Sequence, residues 1–337
     1  MGQVNAVLQE SFRMSLDALG WKAQWREKFA AIDAEGLVPG RVIAEHRSHF
    51  QVAVEAAELS ARTSGRMRNA VKEHSDLPGV GDFAAVRLSE GDGHATIEAV
   101  LPRTSALIRK ASGEKRPQLL AANIDVVFIV TAPDADLNLP RLERYLKLVR
   151  SSGATAVIVV NKADLARDVV EITEQIAGIA SGVPIHAVSA RGRDPIPDLE
   201  RYFEGNHTIA LVGSSGVGKS TLTNLMLGRA AQATQEVRAY DSRGRHTTTH
   251  RQLFTRPEGG SIIDTPGMRA LEAWHTPAED ESSSEEIEAL AAQCRFRDCG
   301  HKSEPGCAVR AAVERGSLMP DAPAHMLPSR VSKRSAR

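Results

Sequence analysis

Gly213-Ser214-Ser215-Gly216-Val217-Gly218-Lys219-Ser220-Thr221 fits G-x-x-x-x-G-K-[ST], the phosphate-loop pattern. Both flanks suit it. His207 to Val212 is a short apolar run that reads as a buried strand, and Thr221 to Leu227 reads as the opening of a helix. Strand, glycine loop and helix together make a phosphate cradle. Glycines let successive backbone N–H groups turn inward, and the helix N-terminus adds partial positive charge. In such a loop Lys219 reaches the β- and γ-phosphates and the Ser220 hydroxyl ligates Mg²⁺.

Outward from this loop the chain alternates β and α. Val126-Val127-Phe128-Ile129-Val130 and Ala156-Val157-Ile158-Val159-Val160 are continuous apolar runs, expected as parallel strands buried on both faces. Helices are expected over Leu139–Val149 and Val169–Ala180, and strands around Pro184–Val188 and Ile262-Ile263. The fold expected here is a doubly wound α/β sheet.

Three more motifs sit at strand ends. Asn161-Lys162-Ala163-Asp164 follows Val160 and fits N-K-x-D, the guanine-reading pattern. The Asp carboxylate accepts from guanine N1–H and the 2-amino group, a donor pair that adenine lacks. The Lys stem covers the base and the Asn braces the loop. Ser189-Ala190 lies 25 residues after Asp164, where a backbone N–H would meet guanine O6. Asp264-Thr265-Pro266-Gly267 fits D-x-x-G; Asp264 would hold Mg²⁺ through water and the Gly267 N–H would contact the γ-phosphate. Together the motifs read as a GTPase. Their order is unusual, because N-K-x-D and Ser-Ala precede the phosphate loop. Such an order is a circular permutation, in which the sheet stays the same and the termini move.

Before this domain, residues 36–116 carry about five short strands separated by turns, the pattern of a small antiparallel barrel of the OB type. Arg62, Arg66, Arg68 and Lys72 form a locally basic stretch, either a nucleic-acid contact or a solvated loop. Residues 1–35 read as a helical arm, with Trp21, Trp25 and Phe29 spaced by four, that docks on a neighbouring domain. After the α/β domain at 117–276 come an acidic, serine-rich linker and a cysteine cluster, in a C-terminal domain at 277–337 that ends in a basic tail.

All three cysteines of the chain lie in that cluster, and Cys294, Cys299, His301 and Cys307 supply a Cys₃His set for tetrahedral zinc. Four protein ligands leave no open position, so the expected zinc is structural. Arg295, Arg297, Lys302 and Arg310 make this knuckle basic. Lysines and arginines balance aspartates and glutamates at 42 each, so no global field draws nucleic acid and any such contact is local. No apolar run approaches a membrane span, and Gln3, Asn5, Gln9, Glu10 and Ser11 interrupt any signal core. A cytoplasmic, monomeric protein is expected.

The permuted motif order, the preceding barrel and the C-x₄-C-x-H-x₅-C knuckle resemble the ribosome small-subunit-dependent GTPase family (RsgA, also called YjeQ or EngC). Gly244-Arg245-His246-Thr247-Thr248-Thr249 also matches that family's switch-one signature. The resemblance covers about residues 36–310. It implies an OB-fold, a permuted GTPase domain and a zinc domain. It also implies action in late maturation of the small (30S) ribosomal subunit, contact with its 16S rRNA, and hydrolysis of GTP to GDP stimulated by the subunit. Many GTPases place a water-orienting Gln after D-x-x-G, but here that position is the apolar Met268. The resemblance assigns the water to His246 as catalytic residue and Mg²⁺ contact to Thr248, with Thr247 as the register alternative. Two rivals remain: a GTP-regulated RNA- or protein-binding module that does not act on the ribosome, and an ATP-using kinase, which Asn161 and Asp164 disfavour.

Overall fold

The computed structural model describes residues 15–32, 34–71, 73–89, 93–109, 118–134, 136–192, 196–228, 251–264, 289–296, 299 and 304–314. The described residues up to 264 belong to one compact unit and those from 289 onward to a second.

The first unit begins with a short arm. The expected helix is confined to α1 (Ala23–Ala30), with turn between Leu16 and Gly20. Trp21 and Trp25 are buried against Phe83, at ring-centroid distances of 5.3 and 4.5 Å. The stripe spaced by four is therefore packing surface for the barrel. The first fourteen residues of the expected helical arm lie outside the described residues.

The barrel is built from β1 (Val38–Glu45), β2 (Phe50–Val54), β3 (Ala57–Thr63), β4 (Phe83–Leu88) and β5 (His94–Val100). Pairing runs β1-β2-β3-β5-β4 and closes through β1–β4, with β3 and β5 parallel and the other pairs antiparallel. This is the expected OB-type barrel. Its core is small and β-branched, with Val42, Val52, Val54, Val86 and Ile97 all buried. Of the basic stretch, Arg62 lies near the end of β3 and Arg66 and Arg68 on a helix, α2 (Gly65–Ala70), capped by the Ser64 hydroxyl; all three are exposed, and Lys72 lies outside the described residues. A hairpin that sequence patterning did not show, β6 (Ala106–Arg109) with β7 (Gln118–Ala122), follows the barrel.

The α/β sheet contains β8 (Val126–Thr131), β9 (Thr155–Val160), β10 (Ile185–Ala187), β11 (Thr208–Val212), β12 (Arg251–Thr255) and β13 (Ser261–Asp264). Its order is β10-β9-β8-β11-β13-β12; all pairs are parallel except β12–β13. The all-apolar strands are buried on both faces, as a sheet covered by helices requires. Between β8 and β9 runs α3 (Leu139–Ser152), capped by the Asn138 side chain and ended by Gly153 in the left-handed region. Because these strands are parallel, Asn161, Ser189, Gly213 and Asp264 all lie at the same, carboxyl edge of the sheet, where open α/β sheets bind ligands.

A buried arginine joins arm, barrel and sheet. Arg41 of β1 donates to the carbonyls of Leu19, Gly81 and Asn123 and lies 4.6 Å from the Phe83 ring centroid. Burial lowers its pKa to about 10, so it remains charged at neutral pH. Beside it, burial raises the Asp82 carboxyl, while a two-pronged ion pair with Arg103 at 2.8 Å opposes that rise.

In the second unit, a turn of helix at residues 289–291, the cysteine cluster and a helix at Ala308–Glu314 bury Cys307, Val309 and Ala312 together. Among the described residues, no helix is long and apolar enough to cross a membrane.

Candidate nucleotide and metal sites

Val212 ends β11, and residues 213–218 turn into a helix that occupies residues 219–228. Val217 is buried in the sheet's core, which anchors the loop from beneath, while Ser215, Gly216, Ser220 and Thr221 stay exposed. The Lys219 ammonium lies against the loop, donating to the carbonyls of Gly213 (2.7 Å) and Ser214.

Asn161 ties the loops together. It is 2% exposed. Its Nδ2 donates to the Val217 carbonyl of the phosphate loop at 2.9 Å, and its Oδ1 accepts from the Ala190 N–H at 3.3 Å. One side chain thus connects the N-K-x-D, phosphate and Ser-Ala loops. A further backbone bond, Ala163 N–H to the Val188 carbonyl at 3.0 Å, joins the first of these to the third. Gly218 makes the close approach possible: it has φ +102°, and a Cβ there would collide with Asn161 Nδ2.

Asp164 is exposed and oriented by its neighbours. The Ser189 hydroxyl donates to its Oδ1 at 2.6 Å, and Arg191 Nη1 to its Oδ2 at 3.4 Å. The Ser189 bond is the main reason its pKa lies below the ordinary carboxylate value, with Arg191 adding to the effect. Lys162, in the left-handed region at φ +58°, pairs with Asp134 at 3.2 Å. Asp264 ends β13, one step beyond the last register pair with β11, Ala210↔Ile263. His246, Thr247, Thr248 and Gly267 lie outside the described residues.

Two acidic residues were not anticipated from sequence. Asp134 and Asp136 follow β8. Asp136 accepts from the Ser214 hydroxyl of the phosphate loop and pairs with Arg141 at 2.6 Å. The available signal was position: a D-x-D leaving the carboxyl end of the strand beside β11.

In the C-terminal unit the sulfur atoms of Cys294, Cys299 and Cys307 lie within 4.8 Å of one another, and Cys294 and Cys307 are 3.9 Å apart. Around a tetrahedral zinc with bonds of about 2.3 Å, sulfurs stand about 3.8 Å apart, so the cluster has the dimensions of a thiolate metal site. Burial works to raise the Cys294 thiol, but hydrogen bonds from the N–H groups of Val309 and Ala308, with those of Cys299 and Cys307, together bring the pKa below the ordinary thiol value. The Arg310 N–H likewise points at Cys307 Sγ at 3.3 Å. Such donors stabilise thiolates. His301, the fourth expected ligand, lies outside the described residues.

A phosphate loop, an N-K-x-D loop and a D-x-x-G strand on one parallel sheet, with the base-reading strand earlier in the chain than the phosphate loop, define a circularly permuted GTPase. A family model described as RsgA GTPase matches residues 100–274. The small ribosomal subunit biogenesis GTPase RsgA 2 of Lactiplantibacillus plantarum is 44% identical over 283 residues, 84% of this chain and 80% of that protein. The protein of Opitutus terrae named small ribosomal subunit biogenesis GTPase RsgA is 42% identical over 320 residues, 91% of this chain and 86% of that one. The crystal structure of YjeQ from Thermotoga maritima superposes with a TM-score of 0.56 at 27% identity, covering 84% of this chain and 94% of that one. The chain belongs to the RsgA GTPase family.

Proposed function

We propose that this GTPase binds the small (30S) ribosomal subunit, acts late in its maturation, and hydrolyses GTP to GDP and phosphate with stimulation by the subunit. The observation that supports the site reading is Asn161, whose two bonds tie the N-K-x-D loop to the Val217 carbonyl and the Ala190 N–H. The ribosomal part rests on the relatives, whose shared name is small ribosomal subunit biogenesis GTPase.

In this reading Gly213 to Thr221 wrap the phosphates, with Lys219 turning from its loop carbonyls toward them, and the Gly267 N–H meets the γ-phosphate. Asp164 reads the guanine N1–H and 2-amino group. Lys162 covers the base, and the Ala190 N–H end of the Ser189-Ala190 pair faces O6. Ser220, Thr248 and Asp264 would hold Mg²⁺; hydroxyl and carboxylate oxygens suit that hard cation, which neutralises charge on the phosphates. His246 orients the attacking water. Cys294, Cys299, Cys307 and His301 would hold one structural zinc, which supplies folding energy to a unit with a small core.

The chain divides into an arm at 1–35, a barrel at 36–116, a GTPase domain at 117–276 and a zinc domain at 277–337. It acts as a cytoplasmic monomer. The exposed Arg62, Arg66 and Arg68 on the barrel and the basic knuckle contact 16S rRNA phosphates. The test is GTP turnover with and without purified small subunits, together with co-sedimentation in a non-hydrolysable GTP analogue. Turnover that subunits leave unchanged, or absence of co-sedimentation, overturns the ribosomal reading.

A further inference from the structure

The connection between β8 and α3 reaches both halves of the nucleotide site. Its two acidic side chains diverge. Asp136 is largely buried, its side chain 15% exposed. Its carboxylate accepts the Ser214 hydroxyl, and Ser214 is itself only 4% exposed. Arg141, in the first turn of α3, donates to the Asp136 Oδ1 at 2.6 Å and also to the Asp136 main-chain carbonyl. The oxygen that Arg141 holds is the one that accepts from Ser214, so the clamp and the grip on the phosphate loop converge on Asp136 Oδ1. Asp134 faces the other way, with its Oδ2 3.2 Å from the Lys162 ammonium. The Asp136 N–H donates back to Asp134 Oδ1 at 2.9 Å, which fixes the two acids relative to each other.

A carboxylate beside a phosphate loop needs an explanation, because its charge opposes that of the ligand. Arg141 supplies it: the ion pair cancels the charge and leaves a rigid acceptor aimed at Ser214. We infer that Asp136 is a positioning residue for the phosphate loop and Asp134 one for Lys162, so that the β8–α3 connection sets the spacing of the two nucleotide-binding loops. The inference rests on the proposed assignment of residues 213–221 to the phosphates and of Lys162 to the base.

The two arms differ in strength. Ser214–Asp136 is a largely buried hydrogen bond to a charged acceptor, a class whose loss weakens the dependent equilibrium about tenfold or more. Lys162–Asp134 is a solvent-exposed pair, with side chains 33% and 40% exposed, and its loss should weaken GDP by no more than about fivefold.

GDP affinity by calorimetry, with GTP turnover at saturation, tests this on the full-length protein. Asp136→Ala should weaken GDP about tenfold or more and raise KM for GTP, with kcat changed less than about threefold. Asp136→Asn keeps an oxygen for the Ser214 hydroxyl and should recover most of the affinity. Asp136→Ala and Ser214→Ala together should cost little more than either alone, as two ends of one contact do. Thermal unfolding of each variant separates a folding defect from a binding one, and Asp136→Asn reads the same contact if Asp136→Ala does not fold. Lys219→Ala is the control: undiminished GDP affinity there overturns the phosphate-loop assignment itself. Weakened binding in Lys219→Ala beside wild-type affinity in Asp136→Ala, or simply additive costs in the double variant, overturns the positioning role alone.

Discussion

Replacing Gly218 by alanine should damage nucleotide binding far more than its size implies. The backbone there has φ +102°, and the added Cβ would sit on Asn161 Nδ2 and 3.5 Å from its Cγ. Two penalties follow. A side chain in that φ region costs roughly 1–3 kcal/mol. Moving Asn161 aside breaks its bonds to the Val217 carbonyl and the Ala190 N–H, and a buried group left without a partner costs about 1–3 kcal/mol. Together they amount to roughly 2–6 kcal/mol, or about one and a half to four decades of equilibrium constant. If the loop opens to relieve the clash, the loss appears in GDP affinity; if it stays closed, it appears as a lower thermal midpoint. Calorimetric titration with GDP and thermal unfolding, measured on the same variant, capture both. Gly216→Ala is the internal control: φ is +81°, yet nothing lies within 4 Å of its Cβ, so only the backbone penalty applies. The reasoning fails if Gly218→Ala binds GDP as well, and melts as high, as Gly216→Ala.

Asp164→Asn should weaken GTP and favour xanthine nucleotide relative to it, since one acceptor becomes a donor; unpaired polar groups at such sites discriminate by about 10⁴-fold, and competition between the two nucleotides reads the change. Because the Ser189 hydroxyl holds the Asp164 carboxyl below its usual range, the charged form persists as pH falls, and the part of the GDP affinity that depends on this carboxylate should survive to lower pH than with an ordinary aspartate. Ser189→Ala should move the acid-side loss to higher pH, and coincident profiles for the two proteins would contradict this. Cys294→Ser should lose stoichiometric metal and locally unfold the C-terminal unit while basal hydrolysis survives, checked by metal analysis and limited proteolysis; a wild-type protein purified without zinc defeats the assignment. His246→Ala should keep GTP affinity and subunit binding yet lose most subunit-stimulated turnover, and stimulated rates near wild type would assign the water to another group.

Most of the sheet was legible because its strands carry the signal of double burial. Residues 126–130 and 156–160 are uninterrupted apolar runs, and a parallel strand covered on both faces permits nothing else. The barrel was legible through its turns. β12 was not: only Leu253 of Arg251-Gln252-Leu253-Phe254-Thr255 is buried, so neither alternation nor a run marks it. The β6–β7 hairpin was hidden for another reason, since residues 110–117 separate its strands, a connection much longer than a two-residue turn. At the site, the glycine loop and N-K-x-D announce themselves by spacing. Asp136 does not, because its meaning lies in a side chain 78 residues later in the chain. The bond from Asn161 to Val217 spans 56 residues and was foreseen only as a brace within its own loop.

Permutation also changes what holds the sheet's edge. β12 pairs with β13 on one side, and its other side would be an open row of backbone donors and acceptors. The barrel strand β1 takes that place, pairing Ala44 with Gln252 and Glu45 with Arg251. Arg251 strengthens the seam, donating to Glu45 Oε2 and to the Leu119 carbonyl, each at 2.9 Å. The same strand closes the barrel through β2 and β4, and its Arg41 reaches the arm and the chain just before β8. Barrel and nucleotide sheet are therefore not beads on a linker but one hydrogen-bonded surface. The seam lies directly after the Gly244–Thr249 signature in the chain, with only His250 between that signature and Arg251. A displacement of β12 against β1 would have to break two register pairs and a half-buried ion pair, so the start of β12 is held to the barrel.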